Sequence, residues 1–156
     1  MFFFFFIISV IAIVIHVFLM KERSAKKIVG VILMYLLAIN VGLSSIVSGV
    51  FHVFDGPATA ARIGWAPGSP FQYEVGVADM AMGLVAFLCL FIRGTFWLAA
   101  IIAESFFLLA CMIGHVHSLY ISGNLAAYNI GPNIILSDLV MPLVLIGLYI
   151  IYKRMK

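Results

Sequence analysis

The chain is 156 residues long, 65% apolar and 10% charged, with a net charge of +3 and a mean hydropathy of +1.24. A soluble domain of this size has too little interior to hide that much apolar surface, and long apolar runs mark bilayer spans. The bases sit in short clusters at span ends without interleaved aromatics, so they act as a topology signal, nucleic acid is excluded as a partner, and the lipid bilayer is the expected surroundings.

Five spans are predicted, over about residues 1–20, 28–53, 70–92, 95–120 and 133–152, as one domain. The first opens with Met1 and five phenylalanines and closes at Lys21. It lacks a basic start and a small-residue cleavage site, so it reads as a retained anchor. The second carries a stripe of Ser45, Ser48 and His52 with Gly42 and Gly49 nearby, read as small-residue packing. Between the second and third spans, Asp55-Gly56-Pro57 and Ala66-Pro67-Gly68 are turn chemistry, predicting an ordered surface loop. Ser69, Pro70 and Gln72 then read as a capping box, with serine at the N-cap, proline at the first helical position and glutamine at the third. Trp65 and Phe71 suit a membrane interface.

On the third span Gly76 and Gly83 are seven apart, share a face and predict close helix approach, with Asp79 near that face. The fourth span holds Glu104, Cys111 and His115 on one stripe. The stretch 121–132 is uncharged and is expected along the interface, and Pro142 is expected to kink the fifth span. Cys89 and Cys111 fall on antiparallel spans at opposite depths, on the order of 20 Å apart, which rules out a disulfide and predicts inert buried thiols.

Orientation follows from the bases. Lys21, Arg23, Lys26, Lys27, Arg93, Lys153, Arg154 and Lys156 fall on one side, leaving Arg62 on the other. The positive-inside rule then predicts an inner-membrane protein with its N-terminus outside and its C-terminus in the cytoplasm. The fold class is all-α, a polytopic integral membrane helical bundle with five transmembrane helices.

Four of the six acids, Glu74, Asp79, Glu104 and Asp138, lie inside or at the edge of these spans with no Lys or Arg beside them. An unpaired carboxylate at a helix centre costs roughly 2.5–3.5 kcal/mol on insertion scales. Protonation, a hydrogen-bonding network, histidines, a metal ion or cavity water can offset that cost. By helical rise, His52, Glu74, His115 and Asp138 share an outer layer contributed by four helices, with Asp79 and Glu104 near the midplane beneath. Glu104 and His115 are about 16 Å apart along the axis and cannot share an ion.

The outer layer admits several readings. Two imidazoles and two carboxylates suit a divalent metal such as zinc, iron or manganese held by His52, Glu74, His115 and Asp138. A plain hydrogen-bonded network, a pocket for a small amphiphile such as a quinone or a lipid, and a proton or cation path are the others. Bis-histidine haem ligation through His52 and His115 is the thinnest. A Gly-rich phosphate loop, a nucleophile elbow, a Cys-x-x-Cys pair and a zincin helix are all missing from the sequence.

The segment Gly49-x-x-His52, then Ile63-Gly64-Trp65-Ala66-Pro67-Gly68-Ser69-Pro70-Phe71-Gln72-Tyr73-Glu74-Val75-Gly76, then Asp79 and Gly83 resembles a family of small prokaryotic membrane proteins. More distantly it is similar to the DoxX-like superfamily of four-helix membrane proteins. The resemblance covers roughly residues 45–120, and the chain departs from it by a fifth span, giving a four-helix DoxX-like core plus one. Some DoxX-like proteins accompany quinone-linked redox systems. The resemblance therefore implies a quinone ligand or an accessory role beside partner membrane subunits, but no catalytic motif transfers. The expectation is a binding or structural membrane protein with ligand-binding residues His52, Glu74, Asp79, Glu104, His115 and Asp138. The alternatives are a membrane redox enzyme, an accessory subunit of a quinone-linked complex, or a metal-binding protein.

Overall fold

The computed structural model describes residues 1–155; Lys156, one of the bases used to orient the chain, lies outside them. Among the described residues the regular structure is all helical. Five helices are long and apolar enough to cross a membrane: α1 (Phe2–Leu19), α2 (Ala25–Phe54), α4 (Phe71–Leu88), α5 (Thr95–Ser122) and α6 (Ala127–Arg154). A short helix, α3 (Gly56–Ile63), lies between α2 and α4. The five predicted segments therefore recur as five long apolar helices of one bundle, with boundaries moved by a few residues. The fourth span runs on to Ser122, and α4 stops at Leu88, its last turn unwinding through Cys89 to Ile92.

The largest change is at α6, which starts at Ala127, six residues before the expected start. Part of the presumed interfacial stretch is thus its first turn, Ala127–Ile130, set off from the rest by an extended Gly131. Beyond Pro132 the backbone is π-helical from Ile135 to Val140 before returning to α-helix. Pro142 explains why the ladder changes there. It has no N–H to give the carbonyl of Asp138 four residues earlier, and a local π turn is one way a helix absorbs that loss. A second π-helical stretch, Leu36–Leu43, interrupts α2.

Helix α2 is the central pillar, with 61% of its most apolar window buried against 17% for α1, which leans on it from one side. Between apolar helices such as these, small residues allow the backbones to approach closely. The α2–α4 pair shows this directly. Gly42 meets Gly83 and Gly49 meets Gly76, the seven-residue spacing on each helix repeating across an antiparallel contact. A Cβ on Gly83 would lie 2.6 Å from Gly42 O, and one on Gly76 would lie 2.8 Å from Gly49 O. The close approach predicted from Gly76 and Gly83 is what the structure has.

The bundle has two unlike ends. Toward the end that carries Lys21–Lys27 and Arg93, Leu33, Leu37, Ala86, Trp97, Ile101 and Leu145 fill a solid core. His16, near the same end of α1, bonds Tyr35 Oη through Nδ1 at 3.1 Å. Exposed Glu22 pairs with Lys27, whose ammonium holds the carboxyl below its usual range. At the opposite end the helices part, and α3 folds back across them. Thr59 Oγ1 donates to Phe51 O at 3.1 Å, and α3 ends on Gly64, whose φ of 82° favours glycine. The surface loop expected after Phe54 is therefore a helical roof.

Candidate functional site

Beneath that roof lies a cavity of about 730 Å³, inside the range of small-molecule sites. Each of the five long helices contributes to its wall: Met1 and Phe2 from the α1 end, Asn40, Ser44, Ser45, Ser48 and His52 from α2, and Val75, Ala78 and Asp79 from α4. Phe107, Cys111, Gly114 and His115 come from α5, and Asn133, Ser137, Asp138 and Met141 from α6. The roof supplies Thr59, Arg62 and Ile63, with Trp65 just beyond it. Both π-helical stretches border this space, where the altered ladder leaves room beside Asn40 and carries Asp138 to the wall. Ser45 and Ser48, read above as packing residues, line the cavity as well.

Of the six expected ligand-binding residues, four line the cavity: His52, Asp79, His115 and Asp138. Glu74 does not. It is exposed on α4, whose buried stripe is Gln72, Gly76, Asp79 and Gly83. At about 100° per residue, a side chain two positions from both Gln72 and Gly76 points the other way. Depth alone had grouped it with the others. Glu104 is buried at 1% exposure outside the cavity wall, and among the described residues neither of its oxygens has a hydrogen-bond partner. Nor do the metal candidates converge: among the described residues no three His, Cys, Asp or Glu side chains are placed to hold one ion. The quartet His52, Glu74, His115 and Asp138 does not assemble, because Glu74 leaves it.

Two neutral amides that sequence reasoning missed hold the histidines in place. Gln72, expected to close the capping box, is instead buried, and its Oε1 lies 2.7 Å from His52 Nδ1. Ser69 keeps part of its expected role, its Oγ accepting from Phe71 N at 3.2 Å. Asn129 is fully buried between α5 and the first turn of α6. Its Nδ2 donates to Asn124 O at 2.8 Å and to His115 O at 3.2 Å. Both of those partners are carbonyls, so the amide cannot be turned round, and Oδ1 must be the atom facing His115 Nδ1 at 2.9 Å. His115 Nδ1 is therefore the donor, and in the neutral ring Nε2 keeps its lone pair.

That lone pair faces Asp138. His115 Nε2 and Asp138 Oδ2 are 3.8 Å apart, and Asp138 Oδ1 accepts from the Ser137 hydroxyl. Trp65, expected at a membrane interface, stacks on the His115 ring with centroids 5.6 Å apart and planes at 18°. Its Nε1 donates to Ser118 Oγ at 3.3 Å. The arrangement gives an apolar, partly aromatic chamber with a polar corner made by a fixed imidazole and a carboxylate. Cys111 lies half-buried on the same wall and Cys89 is buried in the core; both are free thiols.

Comparison with curated proteins and with solved structures found no match for the chain. A family model covers it from end to end, residues 1–156: the chain belongs to DUF6790, a family of unknown function.

Proposed function

We propose that this is a membrane binding protein that takes a small amphiphile into the chamber beneath α3. The observation that carries the reading is the chamber itself. At about 730 Å³ it is large enough for a ring with a short tail, and a mostly apolar wall with a few convergent polar groups is the usual make-up of a ligand site. The clustering of bases at the far end favours an inner-membrane protein with this chamber on the outer side, the N-terminus outside and the C-terminus in the cytoplasm. On the resemblance to DoxX-like proteins, a quinone is the favoured occupant and a lipid the alternative. An accessory role beside membrane subunits of a quinone-linked complex follows from the same resemblance. Asp79 deepens the polar side of the chamber, and Glu104 beneath it is a further buried acid.

Solvent extraction and mass spectrometry of the purified protein test the reading. A Cβ at Gly114 meets open space, so Gly114→Phe can occupy the chamber without displacing backbone. The native protein should carry an amphiphile that the Gly114→Phe protein lacks. Identical extracts from two equally folded preparations would reject the proposal.

A further inference from the structure

We infer that the polar corner of the chamber recognises an aromatic hydroxyl, taking its O–H between His115 Nε2 and Asp138 Oδ2. The inference rests on the binding reading above and deepens it by naming the chemistry of the head group.

Three observations carry it. First, the corner presents acceptors. The two backbone carbonyls on Asn129 Nδ2 fix His115 Nδ1 as the donor to Asn129 Oδ1, so the neutral ring offers only a lone pair at Nε2. Asp138 gives one oxygen to the Ser137 hydroxyl and leaves Oδ2 toward His115. Second, the two acceptors are 3.8 Å apart, too far to be joined by a hydrogen bond of their own, yet close enough for one hydroxyl to reach either. A carbonyl or ether oxygen placed there would meet two lone pairs and no donor, so of a quinone's two forms the corner takes the reduced hydroquinone. Third, the surroundings are aromatic. Trp65 lies flat against His115, and Phe51, Phe71, Phe107 and Tyr128 line the same space, where ring faces and edges favour another ring.

The test is a donor deletion on the ligand. 4-Pentylphenol and 4-pentylanisole share a ring and a tail and differ in the hydroxyl. Each is titrated calorimetrically into the full-length protein in lipid nanodiscs, with empty nanodiscs subtracted. The phenol should bind about tenfold tighter than the anisole, the worth of one well-made hydrogen bond. In Asp138→Asn the preference should shrink to about threefold or less, since the amide is a weaker acceptor. Equal binding of phenol and anisole to the native protein would overturn the hydroxyl assignment and leave the chamber reading intact. No binding of either would overturn both. Tighter binding of dioctanoylglycerol, a lipid alcohol without a ring, would overturn the aromatic part. The native-protein comparison decides even if Asp138→Asn does not fold.

Discussion

Gly83→Ala should destabilise the bundle, whereas Gly147→Ala should not. The added methyl is the same in both, and on propensity alone alanine in a helix interior is favoured over glycine by roughly 0.5–1 kcal/mol. What differs is the space. At Gly83 the new Cβ would lie 2.6 Å from Gly42 O, 2.7 Å from Ile46 N and 2.9 Å from Ile46 Cγ1, where ordinary contact begins at 3.4 Å. Two of those atoms are backbone of α2, so no rotamer change relieves the overlap, and α2 and α4 must separate by several tenths of an ångström. Overpacking of this kind costs about 1–3 kcal/mol, which exceeds the propensity gain. At Gly147 nothing lies within 4 Å, and the propensity term stands alone. Cys89 is buried at the core end of the same pair, so unfolding can be followed with a thiol-reactive fluorophore during heating. The Gly83→Ala transition should fall by several degrees while Gly147→Ala stays at or above the native value. Equal transitions for the two would refute the glycine contact as the joint between α2 and α4.

Three further outcomes are expected. Asn129→Ala strips His115 Nδ1 and two carbonyls of their partner in a buried place and should cost about 1–3 kcal/mol, read by the same thermal assay; an unchanged transition would count against the fixed imidazole. A small methanethiosulfonate should modify half-buried Cys111 on the chamber wall before Cys89 in the core, with peptide mass spectrometry as the readout; the reverse order would mean the chamber is closed. Cysteines at exposed Ser24 and Ala66 should label from opposite sides of the membrane with an impermeant maleimide, Ala66 from outside, and labelling of both from one side would contradict a crossing by α2, the long helix between them.

Much of this architecture was legible because long apolar runs and glycine spacing follow simple rules. Apolar runs of the right length gave five helices, and the spacing of Gly76 and Gly83 gave a close contact that the structure places against Gly42 and Gly49. Depth counted along the helices brought His52, His115 and Asp138 to one level, and they line one cavity. Depth carries no direction, however, and Glu74 shares the level while facing away. Neutral amides were harder still. Gln72 fitted a capping box as well as it fits His52, and Asn129 stood in an uncharged stretch expected along the interface, so charge-based reasoning passed over both. The two π-helical stretches have no sharp sequence signature; Pro142 marked a disturbance in α6 but not its form. Helix α3 was hidden because Gly56 and Pro57, which read as a turn, also suit a helix N-terminus.

The claim that the chamber takes an amphiphile is tested most directly by the fluorescence of Trp65. The chain has two tryptophans, and Trp97 is buried in the core, its Nε1 donating to Cys89 O at 2.9 Å, so Trp97→Phe leaves the chamber tryptophan as sole reporter. Titration of that protein in nanodiscs with a short-tailed hydroquinone should change Trp65 emission along a saturating curve that the Gly114→Phe substitution abolishes. A change that rises without saturation, equally in both proteins, would mean that the hydroquinone meets Trp65 only from the lipid and that the chamber holds nothing.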